Sequence, residues 1–436
     1  MRIKELIVYR NFEEEKLLYD MVWLMDHFQD GGYSLEEKTG FMYECIHKLI
    51  AFAETYGFNG NLWHCYLADL LVNNENGYST GNEIRGYVAG TIKQAVLHDM
   101  EIIREYYNYD FTLLIKVLNV PEYAMLEDYA CSGESHIYNQ EVCRRIQELT
   151  QAFCRTDTAV EMLHNLTVFY QEYGVGKFGL HKSFRVEHDE GGVHIVPIQN
   201  TAHVSLDDLI GYEIPKKKLT DNTLAFVEGR KSNNCLLYGD AGTGKSSCMK
   251  AIANEYYHRG LRIIEIYRHQ FQDLNAVISQ VKNRNYKFII YMDDLSFEDF
   301  ETEYKYLKAV IEGGLWQRPE NVLIYATSNR RHLIRENYGD KCEGNQKEIR
   351  QDMHTGDTVQ EKLSLAARFG ITIYFGSPDR KEYHGIVREL ARRDGITLSE
   401  EELLQQADRW ELFGGGLSGR SARQFVDYLS GIREGI

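Results

Sequence analysis

Two hydrophobic rhythms divide the chain. Through residues 1–180 apolar positions recur at helical spacing, as in 43–54 (Tyr-Glu-Cys-Ile-His-Lys-Leu-Ile-Ala-Phe-Ala-Glu), 63–72 and 92–103. That period predicts amphipathic helices packed into one array. Gly31-Gly32, Asn59-Gly60 and the polar run 73–77 punctuate it, and Pro121 is the sole proline before residue 190, as uninterrupted helices require. Residues 183–188 and 193–198 alternate instead, around Asp189-Glu190-Gly191-Gly192, which predicts a hairpin. The stretch 181–203 is read as a linker carrying that hairpin.

Beyond residue 204 the rhythm changes. Short apolar runs at 235–238, 262–266, 288–292, 322–327 and 371–375 are separated mostly by helical stretches. Such runs predict a parallel sheet with both faces covered. After 378 the pattern turns helical again at 379–393, 399–411 and 419–431, the middle segment opening on Ser399 as an N-cap. The expected organisation is a mainly helical N-terminal domain (1–180), the hairpin linker (181–203), an α/β core (204–378) and a helical lid (379–436).

Composition narrows the class. The 436 residues suffice for two or three domains, and 43% apolar with 26% charged content is that of a globular protein. No stretch reaches the ~18 consecutive apolar residues of a membrane span, so no membrane partner is expected. The first ten residues hold too short an apolar core for a secretory signal. Eight cysteines without a Cys-x-x-Cys pair fit reduced thiols and a cytoplasmic location. Residues 1–200 hold 16 Lys/Arg against 30 Asp/Glu, so −14 of the net −16 lies there. That half repels nucleic-acid phosphates and favours a protein partner. The near-neutral remainder leaves nucleic acid possible but not indicated.

The chemistry begins behind the run 235–238. Residues 239–246 read Gly239-Asp240-Ala241-Gly242-Thr243-Gly244-Lys245-Ser246, followed by Ser247 and a helical pattern. A strand that ends in a glycine loop opening a helix aims several backbone N–H groups at one spot, and a polyphosphate is what that spot binds. Lys245 would reach the β- and γ-phosphates, and the Ser246 hydroxyl would hold Mg²⁺. The run 288–292 ends in Asp293-Asp294, where one carboxylate can meet the metal and the other polarise water. Asp293 is read as the metal residue and Asp294 as the base, with the reverse as the alternative. Asn329 tips the strand 322–327 and could orient that water, although alone it reads as a turn residue. Arg368 lies just before the last strand, placed to reach a neighbour's γ-phosphate. Arg420 and Arg423 share one face of the final helix, and one of them could fold over the nucleotide. His181, His188 and His194 match no metal spacing.

In this order the motifs resemble the AAA+ ATPases, over about residues 204–431. Narrower runs, Asp-Asp-Leu-Ser-Phe (293–297) and Tyr-Ala-Thr-Ser-Asn-Arg-Arg-His-Leu (325–333) among them, resemble a bacterial AAA+ family of unknown function. The resemblance implies an AAA+ phosphate-loop core binding ATP and Mg²⁺, with Ile210 and Gly211 in a box that clasps the adenine. It also implies Asn329 as the first sensor, Arg368 as an arginine finger acting in trans within a homo-oligomer, and Arg420 as the second sensor. The chain is thus expected to be a Mg²⁺-dependent ATPase that remodels a partner through its N-terminal half. Many relatives carry Asp-Glu where this chain has Asp293-Asp294, and helicase-loader relatives carry Asp-Asp. An ATP-dependent switch or loader with little hydrolysis is the alternative. A small-molecule kinase is a weaker reading. The polar stretch 335–360 is expected to form a loop.

Overall fold

The computed structural model describes residues 2–12, 15–133, 138, 140–189, 191–198, 204–297, 303–312, 319–329, 365–414 and 416–433. The chain folds into two compact units, Met1–His181 and Lys182–Ile436.

The first unit is helical. Its helices include Glu15–His27, Leu35–Tyr56, Leu62–Asn73, Thr91–Tyr107, Gln140–Cys154 and Ala159–Tyr173. Leu62–Asn73 is apolar on nearly every side and has Trp63, Tyr66 and Leu71 among its buried residues, so it runs through the middle of the array. Leu35–Tyr56 starts with a reciprocal Ser34–Glu37 capping box and stops at the left-handed Gly57. Ala159–Tyr173 uses Thr158 and Glu161 in the same way, each pair satisfying two orphan N–H groups. Ahead of the first helix, the amides of Ile7, Val8 and Tyr9 donate to the buried Asp99 carboxylate at 2.8, 2.7 and 2.9 Å.

The second unit holds seven strands: β1 (Ser183–Asp189), β2 (Gly192–Pro197), β3 (Cys235–Gly239), β4 (Leu261–Glu265), β5 (Lys287–Met292), β6 (Val322–Ser328) and β7 (Ile371–Phe375). They form one sheet in the order β2-β1-β4-β5-β6-β3-β7. All pairings are parallel except the β1–β2 hairpin. The hairpin read from sequence as part of a linker is therefore an extension of the sheet. Phe184 and Val186 are buried along β1, and the strand covers the edge that β4 would otherwise leave unpaired.

Side chains alternate across this sheet. Leu237, Ile289, Leu323, Tyr325 and Ile373 pack with Leu219 and Phe226 of helix Glu213–Val227 and with Cys248, Met249 and Ile252 of helix Lys245–Tyr256. Leu236, Ile264, Ile290 and Ile324, which point to the opposite face, are also buried. Burial on both faces is why these strands read as continuous apolar runs. Three helices, Arg380–Arg393, Glu400–Gly414 and Gly419–Arg433, close around Tyr383, Val387, Ala407, Ala422 and Phe425 in the segment read from sequence as the lid. The architecture is an α/β core, a mostly parallel seven-stranded sheet covered by helices and followed by three further helices, in a chain whose first unit is mainly helical.

Candidate functional site

The loop 239–244 leaves β3 and enters helix Lys245–Tyr256 through backbone that only glycine adopts readily. Gly239, Gly242 and Gly244 have φ of 138°, 75° and 89°. A Cβ on Gly239 would overlap the Phe375 carbonyl, and one on Gly244 would meet Leu209 Cδ2 at 2.9 Å. The loop is thus pressed against β7 on one side and against the segment ahead of helix Glu213–Val227 on the other.

Lys245 is 6% exposed. Its ammonium donates to the carbonyls of Gly239 at 2.9 Å and Asp240 at 2.6 Å. Burial pulls its pKa down, partly offset by the negative charges of Asp240, Asp294 and Asp293. The Asp240 carboxylate does not face the loop's concavity. It accepts from the amide and hydroxyl of Ser377 at 2.8 and 2.9 Å, fastening the phosphate loop to the segment that leads into the lid. The lid returns the contact, since the Arg420 amide donates to the Gly242 carbonyl at 3.1 Å.

The strand order places the acidic pair. Because β6 lies between β3 and β5, the tips of β5 and β6 stand beside the loop. Asp293 Oδ1 accepts from Ser246 Oγ at 2.7 Å, Tyr291 OH at 2.7 Å and Thr327 Oγ1 at 2.6 Å. Burial pushes this carboxyl up, but the hydrogen bonds from Thr327, Tyr291, Ser246 and the Asp294 amide outweigh it and hold the pKa below the usual carboxylate range. A hydroxyl and an ionised carboxylate, both oxygen donors, thus meet at one point beside the phosphate loop. That donor set suits a hard divalent cation such as Mg²⁺.

Asp294 adopts left-handed backbone, φ 49°, a region non-glycine residues occupy rarely. Its amide donates to Thr327 Oγ1 at 2.9 Å, and the next amide, of Leu295, donates to the Thr327 carbonyl at 2.7 Å. Asn329 Nδ2 donates to Asp294 Oδ1 at 2.8 Å. The turn therefore aims the second carboxylate away from the first and binds it to the tip of β6.

A cleft of about 620 Å³ opens over these groups. The loop residues Ala241–Ser247 with Asp293, Asp294 and Asn329 form its polar floor, and Ile210, Tyr212, Ile386 and Leu390 supply an apolar wall. Arg420 and Arg423 line it from the lid; Arg423 is also paired with Asp394 at 3.1 Å and Asp427 at 2.8 Å. Gly211, with φ 83°, makes the turn between Ile210 and Tyr212. Arg368 is not among the residues lining this cleft. It is half-buried in the turn before β7, its amide donating to the Leu365 carbonyl at 3.1 Å.

Thr327 and Tyr291 were given no role by the sequence reading, and Tyr212 entered it only as part of the adenine-clasping box 206–213. Thr327 and Tyr291 sit within apolar strands and gain meaning only from the strand order. Tyr212 follows the Ile-Gly pair, and its OH donates to the Gly376 carbonyl at 3.1 Å. Residues 330–333, Glu298, Asp299 and the stretch 335–360 lie outside the described residues. Of the three histidines, His188 and His194 meet Asp273 and Asp189 at 3.7 and 3.0 Å, and His181 lies against Tyr138.

A family model described as Protein of unknown function (DUF815) matches residues 179–433. The chain belongs to that family. The DUF815 match spans the sheet, the cleft and the lid. Among curated proteins, the chromosomal replication initiator protein DnaA of Borreliella burgdorferi is 23% identical over 198 residues, 43% of this chain and 37% of that protein. The chain thus spans little more than a third of that relative. Among solved structures, the Thermotoga maritima RuvB Holliday junction branch migration motor is 18% identical over 52% of this chain and 66% of its own, with a TM-score of 0.37. The FIGL-1 AAA domain in complex with ADP is 17% identical over 54% of this chain and 76% of its own, also with a TM-score of 0.37. Among the described residues no helix is long and apolar enough to cross a membrane.

Proposed function

We propose that this DUF815 chain binds ATP with Mg²⁺ in the cleft above β3, β5 and β6 and hydrolyses it. The observation that carries the reading is the Ser246–Asp293 hydrogen bond beside Lys245, with the Asp294–Asn329 pair one residue further on. The amides of 241–246 would cradle the phosphates, and Lys245 would leave its two carbonyl acceptors to meet their charge. Ser246 and Asp293 would hold Mg²⁺, which when bound neutralises phosphate charge. Asp294 would accept a proton from the attacking water, and Asn329 would keep that carboxylate aimed at it. The apolar wall of Ile210, Tyr212, Ile386 and Leu390 would take the adenine. Arg420, whose backbone already touches the loop, would close from the lid.

Arg368, outside its own cleft, would serve the cleft of a second copy in a homo-oligomer. The N-terminal half, with its excess of carboxylates, would engage the protein partner that ATP turnover remodels. Steady-state phosphate release by the purified chain tests the chemistry. Wild type should turn over ATP, and Asp294→Asn should bind ATP yet lose ~10²-fold or more in rate; full activity in that variant refutes the assignment. The same variant, loaded with ATP, should retain the partner on an affinity matrix. Equal recovery without nucleotide counts against remodelling.

A second reading is an ATP-gated switch or loader that scarcely hydrolyses. It draws on Asp294 itself, one methylene shorter than a glutamate and tied at Oδ1 to Asn329. The name of the DnaA relative, a replication initiator, makes a nucleic-acid-bound complex the target to try under that reading. Rapid turnover without any partner would exclude it.

A further inference from the structure

A nucleophile and a base meet in the helical unit, within Met1–His181 and apart from the nucleotide cleft. Cys154 ends helix Gln140–Cys154 with its side chain exposed. Its Sγ lies 3.5 Å from His64 Nδ1. The other ring nitrogen, Nε2, is 2.8 Å from the Tyr107 carbonyl oxygen. A carbonyl can only accept, so Nε2 carries the proton in the neutral ring and Nδ1 presents its lone pair to the thiol. The imidazole is also stacked on the Tyr107 ring at 4.0 Å and 10°, which fixes its plane. Burial lowers the His64 pKa, keeping the ring in its proton-accepting form near neutral pH. The Tyr107 hydroxyl, 3.4 Å from the same sulfur, donates to the Thr150 carbonyl at 2.9 Å and can turn to donate to a thiolate instead.

A nucleophile within reach of a base, the base oriented by a third group, is the arrangement that activates thiols. The helix ends at Cys154, so the helix offers the sulfur terminal carbonyls rather than N–H donors. Reactivity at Cys154 must therefore come from proton transfer to His64 during attack. Cys131 offers the contrast. It is half-buried, and its S–H faces the backbone carbonyls of Gly133 at 3.3 Å and Ala53 at 3.6 Å. The Glu54 carboxylate it also meets has its pKa held down to about 2, chiefly by hydrogen bonds from Ser132 and Tyr129, and is a far weaker base than an imidazole.

We propose that Cys154 is a base-assisted reactive thiol, a site of reversible S-thiolation by low-molecular-weight disulfides. His64 Nδ1 takes the S–H proton as Sγ attacks one sulfur of the disulfide. The S–S bond breaks, a mixed disulfide forms on Cys154, and the departing thiolate leaves as a thiol with the proton from His64. The disulfide is the oxidant, and no other co-reactant is required.

The test uses the full chain and glutathione disulfide, with the rate at each cysteine read by mass spectrometry. Cys154 should react ~10-fold faster than the same cysteine in a synthetic peptide of residues 149–158, which lacks the base; an equal or slower rate overturns the proposal. His64→Gln keeps an amide N–H for the Tyr107 carbonyl but removes the base. It should slow Cys154 ~10-fold while leaving Cys131 unchanged. If Cys154 keeps its wild-type rate in that variant, the base has no role and the proposal fails. Should Cys131 speed up in the variant, a sign of a disturbed fold, the peptide comparison decides.

Discussion

At the scale of single residues, the Asp293 carboxylate draws four donors to one point and thereby sets its own acidity. Its pKa is depressed below the ordinary value of 3.8, so the unfolded chain binds the proton more readily. The resulting stabilisation is fully present above the ordinary carboxylate range and is lost as pH falls through the lower folded value. Acid unfolding should therefore begin at higher pH and be less steep in Asp293→Asn, as circular dichroism along a pH series would show. In the other unit, the Asp99 carboxylate gathers backbone donors. With 0% exposure and three backbone donors, it is the tether of Ile7–Tyr9. Asp99→Ala leaves three amides without their acceptor and should cost ~3 kcal/mol or more, read from denaturant midpoints. Amide exchange should accelerate at those three residues first. Residue roles were legible in the sequence where the chemistry is local. The run Gly239–Ser246 is one continuous stretch, so its letters carry its geometry. Thr327 was not legible, because its meeting with Asp293 depends on β6 lying beside β5, a fact no local pattern contains. The pairing of His64 with Cys154, ninety residues apart, was hidden for the same reason.

Between elements, the phosphate loop is joined to the lid segment at two points. Asp240 holds the Ser377 amide and hydroxyl, and the Arg420 amide holds the Gly242 carbonyl. A loop fixed on both sides is pre-organised for its ligand. Asp240→Ala should free the segment entering helix Arg380–Arg393 and weaken ATP binding by about tenfold, the equivalent of one charge-assisted hydrogen bond. Asp240→Asn, which retains an acceptor, should lose less. Calorimetric titration of both variants with ATP checks the order. The sequence reading placed Asp240 among the phosphate contacts because it sits inside the motif; in the fold its carboxylate accepts from Ser377 while its charge still acts on Lys245. The strands β3 to β6 were legible as apolar runs because both faces of the sheet are covered there, whereas β7, at the edge, is exposed at Thr372 and Tyr374. The hairpin β1–β2 was legible as a hairpin but not as sheet, because alternation reports a half-buried strand without naming the edge it joins.

Across the whole molecule, the two units carry different charge and different chemistry. The cleft belongs wholly to residues 182–436, whereas the −14 charge of residues 1–200 accompanies the helical array. In the oligomer proposed above, Arg368→Ala should leave assembly intact, as sedimentation would report. It should lower ATP turnover ~10³-fold, the scale of an arginine finger in phosphate-loop enzymes. Assembly with undiminished turnover would remove Arg368 from the shared site. Everything proposed for the cleft depends on its affinity for a magnesium-bound triphosphate, and calorimetric titration of the full chain with Mg²⁺ and a slowly hydrolysed ATP analogue measures that directly. Saturable binding at one site per chain, abolished in Lys245→Ala, is the result predicted here; no heat of binding, or equal binding in that variant, would contradict it.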